Sequence, residues 1–210
     1  METLDRLDAV RERWNVLRHP FYQRWSAGSL EHEELGFYAG QYRHAVVALA
    51  DQAQAAAQAA PPELREELEG HAAEERDHVE LWDAFAEAFG GDTASAPLAE
   101  TAGCAAAWTG GAGFAERLGV LYAVEASQPA ISQTKLDGLA EHYGVARDHG
   151  ASAYFSLHSE LDRAHGERAR KLIAEYASQA DADAVVAAAE RALEGNWLLL
   201  DGVEAVGAPA

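Results

Sequence analysis

Three side chains that commonly bind metals, His158, Asp162 and His165, recur at positions i, i+4 and i+7 of one segment. On an α-helix these offsets fall within a narrow stripe, so the three side chains point the same way. Imidazole and carboxylate groups together suit iron, manganese or zinc. Taken alone, the spacing also fits a solvated helix face, because Glu160 and Arg163 are interleaved with it. The segment therefore predicts a helix, and partner ligands on other helices would favour a metal site.

Helical periodicity extends over most of the chain. In residues 63–89, apolar and histidine side chains form a nearly continuous i+3/i+4 stripe that begins after Pro61 and stops at Gly90. Strand-like alternation is scarce, and the prolines lie mostly between periodic segments. We predict an all-α protein, a bundle of seven or eight helices with a site between them. It forms one domain over residues 1–210, and about 204–210 are expected to be a flexible tail.

Charge and cysteine content exclude several classes of protein. The chain has 35 acidic against 16 basic residues, a formal net charge of −19, which repels nucleic acid and anionic membrane surfaces. The single cysteine, Cys104, forbids an intramolecular disulfide and a thiol-rich zinc site. The charged N-terminus lacks the apolar stretch of a signal peptide, and no run approaches the roughly 20 apolar residues of a membrane span. We expect no nucleic-acid or membrane partner and a cytoplasmic location.

Two other segments carry candidate partners for the first stripe. Glu75 and His78 have the i, i+3 spacing used in carboxylate-bridged metal bundles, while Glu74 and His71, one heptad before His78, are alternatives on the same helix. This helix is acidic, so a salt-bridged face remains an alternative interpretation. Glu125 is an isolated acid in an apolar stretch, where a carboxylate is costly unless it is paired or bound to metal. An ion pair with an arginine is the alternative there.

Together these segments predict a dinuclear centre that three helices provide. Its six candidate ligands are Glu75, His78, Glu125, His158, Asp162 and His165. They would largely neutralise two divalent ions and leave positions open for oxygen or substrate. Zinc for hydrolysis is possible, but a buried dinuclear carboxylate site points first to iron or manganese and dioxygen chemistry.

Four motifs carry a resemblance to a known family. They are His19-Pro-Phe-Tyr-Gln-Arg-Trp-Ser-Ala-Gly-Ser-Leu30, the Glu-Glu-x-x-His segment ending at His78, Glu125 with Ser-Gln-Pro129, and Tyr154-Phe-x-x-His-x3-Asp-x2-His165. The chain resembles the haem-oxygenase-like diiron oxidases, in the superfamily of the TenA thiaminases and pyrroloquinoline-quinone synthase. Within that group it is most similar to the para-aminobenzoate synthases typified by the Chlamydia protein associating with death domains. The resemblance implies a haem-oxygenase-like helical bundle, two iron ions or an iron/manganese pair, and O2 as co-substrate.

The resemblance also implies a substrate. Proteins of this type consume an internal tyrosine and an internal lysine to supply para-aminobenzoate for folate, and the matching positions here are Tyr22 and Lys135. From the residues alone, Tyr22 is compatible with core packing and Lys135 with capping or solvating a helix. The Chlamydia protein spaces its Glu and His ligands further apart than Glu75 and His78, so the carboxylate of this helix stays open. An external reductant and a homodimer are expected as well.

Other functions remain compatible with the sequence. The substrate of an ordinary diiron oxidase would be a separate small molecule, such as an amino acid or a fatty acid. A TenA-type hydrolase needs an activated thiol, for which Cys104 is the one candidate. Metal-free oxidation, as in pyrroloquinoline-quinone synthase, is a third possibility. A helical interaction module without catalysis is the fourth.

Overall fold

A computed structural model describes residues 2–207 and confirms the prediction of an all-α protein: no strand occurs within this range. The same residues form nine α-helices and two short 3-10 turns, Val16–Arg18 and Gly150–Ser152. The α-helices are α1 (Thr3–Arg13), α2 (Pro20–Ser26), α3 (His32–Ala59), α4 (Pro62–Ala88), α5 (Ala99–Trp108), α6 (Phe114–Glu125), α7 (Gln128–His142), α8 (Ala153–Tyr176) and α9 (Ala182–Gly207).

The helix boundaries follow the local signals in most places. Proline occupies the first turn of α2, α4 and α7, where its missing N–H costs no intrahelical hydrogen bond. The chain breaks between α6 and α7 at Ala126 and Ser127, just before Pro129, and the side chain of Arg11 donates a 2.5 Å hydrogen bond to the carbonyl of Ala126 there. At the C-terminus α9 continues to Gly207, so residues 204–207 are helical. Residues 208–210, the remainder of the expected tail, lie outside the described part.

The long helices pack as neighbouring layers around an apolar interior. Helix α3 packs along α4, α9 packs against α5 and α6, and α8 lies against α4, α6 and α7. One core cluster is rich in aromatic side chains, including Trp25, Tyr38, Trp82 and Phe155. Helices α4, α6 and α8 carry all six predicted ligands, and α8 contacts both of the others. Within residues 2–207, no helix is both long and apolar enough to cross a membrane.

The contact between α2 and α7 gives a test of the packing near Lys135. A Cβ atom at Gly138 would lie 2.6 Å from the indole of Trp25, whose Nε1 donates a 3.3 Å hydrogen bond to the carbonyl of Lys135. We therefore expect Gly138→Ala to lower the free energy of unfolding by about 1–3 kcal/mol, as overpacking does in a tight core. In the control Gly103→Ala, the new methyl group meets open space, so stability should stay level or rise by up to about 1 kcal/mol. Urea unfolding measures both, and equal stability of the two variants would contradict this packing.

Candidate metal centre

The ligand stripe on α8 has a counterpart on α4. Each helix carries a histidine, a carboxylate and a histidine at i, i+4 and i+7: His71, Glu75 and His78 on α4, and His158, Asp162 and His165 on α8. The rings of His71 and His165 lie 4.3 Å apart between centroids. Those of His78 and His158 lie 4.7 Å apart. The first histidine of each stripe therefore meets the last histidine of the other, so the two stripes run in opposite directions.

Glu75 lies at the centre of this arrangement. Its Oε1 is 3.7 Å from Nε2 of His71, 3.4 Å from Nδ1 of His78 and 3.9 Å from Nδ1 of His165. The ligand atoms of His71, Glu75 and His165 all lie within 4.8 Å of one another, and so do those of Glu75, His78 and His158. Two possible metal positions therefore share one carboxylate.

Two further carboxylates complete the cluster. Glu125 on α6 brings Oε1 to 3.2 Å from Nε2 of His71, and Asp162 brings Oδ1 to 3.7 Å from Nδ1 of His165. Both side chains are 1% exposed. The end of α6 can approach α8 this closely because residue 166 is a glycine. A Cβ atom at Gly166 would lie only 3.0 Å from the Cβ of Ala126. The site thus holds three buried carboxylates and four imidazoles.

The polar atoms of this site are oriented for a cation. Nine of its buried nitrogen and oxygen atoms have no hydrogen-bond partner among residues 2–207, although several nitrogen–oxygen pairs approach within 4 Å. They belong to His71, Glu75, His78, Glu125, His158, Asp162 and His165. Unpartnered polar atoms are costly to bury, and a shared cation that all of them contact removes that cost. The residues present therefore fit one or two divalent metal ions with nitrogen and oxygen ligands.

The electrostatics of the cluster support the same conclusion. Burial raises the pKa of Asp162 to about 9, and the carboxylates of Glu125 and Glu75 add to this shift. Burial would lower the pKa of His71, but Glu125 and Glu75 raise it to about 11. Burial likewise lowers the pKa of His158, to about 4. The protein alone therefore compensates its carboxylates by holding protons, which bound cations would replace.

A backbone hydrogen bond fixes the orientation of His158. Nδ1 of His158 lies 2.6 Å from the carbonyl oxygen of Tyr154, and since a carbonyl only accepts, Nδ1 donates. Nε2 is then the nitrogen with a free lone pair, and it is one of the unpartnered atoms of the cluster. The ring of Tyr154 stacks on the imidazole at 3.9 Å between centroids. Contacts of this kind hold a metal-binding histidine in one tautomer and one orientation.

The structure brings all six sequence-predicted ligands together. It also distinguishes between Glu74, Glu75 and His71, the alternative ligands on α4. Glu75 faces the cluster, whereas the side chain of Glu74 is 57% exposed at its edge, 3.5 Å from Nε2 of His165. His71 belongs to the cluster beside Glu75 rather than in its place. The signal for His71 is present in the sequence: the i, i+4, i+7 pattern of α8 is repeated on α4 from His71 to His78.

Tyr22 and Lys135 meet in a closed aromatic chamber. Their side chains are each 1% exposed. The Nζ atom of Lys135 lies 4.9–5.7 Å from the ring centroids of five aromatic side chains, Tyr22, Tyr38, Tyr42, Trp82 and Phe155. The alternative in which Lys135 caps or solvates a helix is therefore wrong, because α7 directs this side chain into the core between α2, α3 and α4.

The amine of Lys135 has no acidic partner within the described chain. Nζ donates a 2.7 Å hydrogen bond to the hydroxyl of Tyr38, its one hydrogen-bond partner there. Burial without a counter-ion lowers the pKa of Lys135 well below its ordinary value. Burial therefore favours the neutral form of the amine, which is the nucleophilic form.

Aromatic rings connect this chamber to the metal centre. Tyr154, stacked on His158, has its ring 5.0 Å from that of Trp82 between centroids. The ring of Trp82 lies in turn 5.1 Å from Nζ of Lys135. Two aromatic side chains thus separate a cluster histidine from the lysine.

A cavity of about 240 Å³ reaches the cluster from the other side. His71, Glu125 and His165 form its inner end. Its walls come from α4, α6 and α8 and are mostly apolar, with Leu68, Leu118, Leu121, Ala169 and Leu172. The centre thus lies between a closed aromatic chamber and an open cavity.

Comparisons with known proteins agree with these features. The family model for iron-containing redox enzymes matches residues 32–197, a range that includes every residue of the cluster. The chain is 32% identical to a 4-aminobenzoate synthase of Nitrosomonas europaea, over 94% of this chain and 89% of that protein. It is 30% identical to a 4-aminobenzoate synthase of Chlamydia muridarum, over 96% of this chain and 89% of that protein.

A solved structure supports the fold prediction. A domain of unknown function from Shewanella denitrificans, described as having a heme oxygenase-like fold, superposes with a TM-score of 0.82. The alignment covers 98% of this chain and 93% of that one at 21% identity. The haem-oxygenase-like helical bundle expected from the sequence is therefore confirmed.

Proposed function

Because the chain belongs to the family of iron-containing redox enzymes, we propose that it is an oxygen-dependent dinuclear oxidase that forms 4-aminobenzoate from its own Tyr22 and Lys135. The names of its relatives in Nitrosomonas and Chlamydia support the product. The observation that carries the proposal is the buried amine of Lys135, which has no acidic partner within the described chain and lies 5.7 Å from the ring centroid of Tyr22, two side chains away from a cluster of unpartnered metal-binding atoms.

The cluster residues would hold two iron ions or an iron/manganese pair. One position would use His71, Glu125 and His165, the other His78 and His158, and Glu75 would be shared. Asp162, whose Oδ1 lies 3.7 Å from Nδ1 of His165, would add a third carboxylate to the pair. When bound, the metal pair supplies the reduction of dioxygen, with electrons from an external reductant. Four imidazoles and three carboxylates suit iron or manganese better than a soft metal ion such as Cu(I), which prefers sulfur ligands.

The residues of the chamber prepare Tyr22 and Lys135 for reaction. The hydroxyl of Tyr38 accepts a hydrogen bond from Nζ and so orients the amine, while burial lowers the pKa of Lys135 and so favours the unprotonated amine. Burial also raises the pKa of Tyr22, so its phenol keeps its proton until it is oxidised. The surrounding aromatic rings exclude water, which limits side reactions of an oxidised ring. In this proposal Tyr22 supplies the aromatic ring and Lys135 the amino nitrogen.

The burial of both residues favours an internal substrate. With Tyr22 and Lys135 each 1% exposed, a separate molecule would reach them only if helices moved apart. An ordinary oxidase acting on an external small molecule is the second candidate, and the open cavity at the cluster is the observation in its favour. A thiol-based hydrolase is disfavoured because burial raises the pKa of Cys104 far above its ordinary value. A homodimer stays a prediction, and a helical interaction module without catalysis stays the less favoured alternative.

Tyr22→Phe tests the proposal directly. The change keeps the ring and its packing but removes the hydroxyl group, so a phenol can no longer be oxidised. We expect wild-type protein loaded with ferrous iron to release 4-aminobenzoate when it meets oxygen and a reductant, with no added substrate, and Tyr22→Phe to release none. Liquid chromatography with mass spectrometry measures the product.

The matched control is Tyr176→Phe, which alters a tyrosine on α8 that packs against Phe114, away from the chamber. It should form as much product as the wild type. Equal 4-aminobenzoate from Tyr22→Phe and wild type, at equal iron content, would contradict the internal-substrate proposal.

A further inference from the structure

Two surface features reach the metal cluster, and their charges differ. The cavity described above is lined by the exposed carboxylates of Glu74 and Glu67 and by the buried carboxylate of Glu125. A separate groove of about 500 Å³ touches the cluster at Asp162 and is also lined by Arg163, Glu167 and Arg170. In the groove two arginines offset two carboxylates in formal charge, whereas the cavity has three carboxylates and one arginine, so the cavity attracts a divalent cation more strongly.

The basic residue at the cavity does not cancel its acidic character. Arg168 lines the cavity, but its guanidinium is engaged by both carboxylate oxygens of Glu67, with one contact at 2.7 Å. Glu74 is left with its carboxylate exposed to solvent, and its Oε2 lies 3.5 Å from Nε2 of His165. Glu74 thus touches both the solvent and a residue of the cluster.

Behind Glu74 the cavity leads to side chains that lack partners. Both carboxylate oxygens of Glu125 and Nε2 of His71 are buried and unpartnered within residues 2–207, and both residues line the cavity. The group of His71, Glu75 and His165 is partly open to the cavity, since the side chains of His71 and His165 are each 15% exposed. The group of Glu75, His78 and His158 is buried throughout. An ion from solvent therefore meets the first group before the second.

We propose that this cavity is the entry port for divalent metal ions and that Glu74 is the first carboxylate to bind them. Glu74 passes the ion to the outer position, beside His165, His71 and Glu125. Glu75 belongs to both positions and so lets an ion continue to the inner position, beside His78 and His158. This inference rests on the dinuclear centre proposed above. It assigns Glu74 a role in the rate of metal uptake and none in the final coordination.

The rate of Co2+ uptake tests the port. Chelator-stripped protein is mixed with Co2+ alone in a stopped-flow spectrometer, and the visible absorption of bound Co2+ is followed; equilibrium dialysis gives the stoichiometry. We expect Glu74→Gln to slow uptake roughly threefold to tenfold, since acidic clefts raise association rates of cations by at least tenfold, with the same number of ions bound at the end. The matched control Glu80→Gln changes an exposed acid of the same helix that does not line the cavity, and it should load at the wild-type rate.

A steric variant gives an independent measurement. Gly70 lines the cavity, and a Cβ atom there would have no neighbouring atom within 4 Å, so a side chain can start at this position without a clash. We expect Gly70→Trp to slow uptake by at least the same factor, and Gly70→Ala to leave it unchanged. Wild-type rates in both Glu74→Gln and Gly70→Trp, at full stoichiometry, would overturn the port while leaving the metal centre intact. A wild-type protein that binds no Co2+ would overturn the centre itself, and the port with it.

Discussion

Glu75→Gln is expected to reduce the bound metal from about two ions per chain to well under one. Glu75 is the carboxylate that both groups of ligands share, and its Oε1 lies within 4 Å of three histidine nitrogens. The glutamine keeps the size of the side chain and removes its charge, so both metal positions lose their common anion. The loss should therefore exceed that of a ligand that serves one position, such as His78.

Metal content after anaerobic loading with ferrous iron and removal of free ions measures this effect. Mass spectrometry of the metals gives ions per chain, and circular dichroism shows that the helices persist. Glu80→Gln is the control, because it makes the same change at an exposed site on α4. A Glu75→Gln protein that still holds two ions would show that the cluster is not a shared dinuclear centre.

Lys135→Met is expected to abolish formation of 4-aminobenzoate and to stabilise the fold. At pH 7 the gain should be about 1–3 kcal/mol, since replacing a buried ionisable group by an apolar one of similar volume is often stabilising. The side chain is enclosed by aromatic rings, and its amine makes a single hydrogen bond within the described chain. A residue kept for packing would behave in the opposite way, because its removal would lower stability.

The gain should depend on pH in a defined direction. Burial holds the pKa of Lys135 in the folded protein well below its value in the unfolded chain. Between these two values the unfolded chain binds a proton that the folded chain does not, so the stability of the wild type rises with pH. The advantage of Lys135→Met should therefore shrink by up to about 1.4 kcal/mol per pH unit on approach to pH 10.

Urea unfolding at several pH values checks both statements. Lys171→Met is the control, because Lys171 is the other lysine of the chain and is exposed. It should change stability by less than about 0.5 kcal/mol at every pH. If Lys135→Met were less stable than the wild type, or its advantage were independent of pH, Lys135 would be a structural residue.

The fold was largely predictable because its signals are local. Apolar stripes with a helical period define α3, α4 and α8, and prolines mark the starts of α2, α4 and α7. The C-terminal end of α9 was not predicted: residues from about 204 onward were expected to form a flexible tail, yet the helix continues to Gly207. Val203 and Val206 continue the apolar spacing at intervals of three residues after Leu200, so the helical pattern extends beyond the expected boundary.

The spacing of the candidate ligands along each helix could be predicted from the sequence. Which ligands of different helices meet could not. The spacing of His158, Asp162 and His165 identifies a stripe, but whether His71 or Glu75 meets it depends on how α4 and α8 cross. The structure answers that both do, since Glu75 reaches the centre and His71 pairs with His165. Sequence offsets of three, four and seven all share one helix face, so spacing cannot rank them.

The surroundings of Lys135 were also beyond the sequence. Its hydrogen bond to Tyr38 joins residues 97 positions apart, and its neighbouring rings come from α2, α3, α4 and α8. Only the packing of these helices decides whether a lysine on α7 faces solvent or the core. This long-range packing places Tyr22 and Lys135 together in a closed aromatic chamber.

The mass of the intact protein, before and after reduced, iron-loaded wild type meets oxygen, tests the central claim most directly. We expect a fraction of chains to change mass, with the changes mapped by peptide analysis to Tyr22 and Lys135, and at most one 4-aminobenzoate released per altered chain. Many molecules of product per chain, formed from an added substrate while the mass of the protein stays constant, would contradict the account.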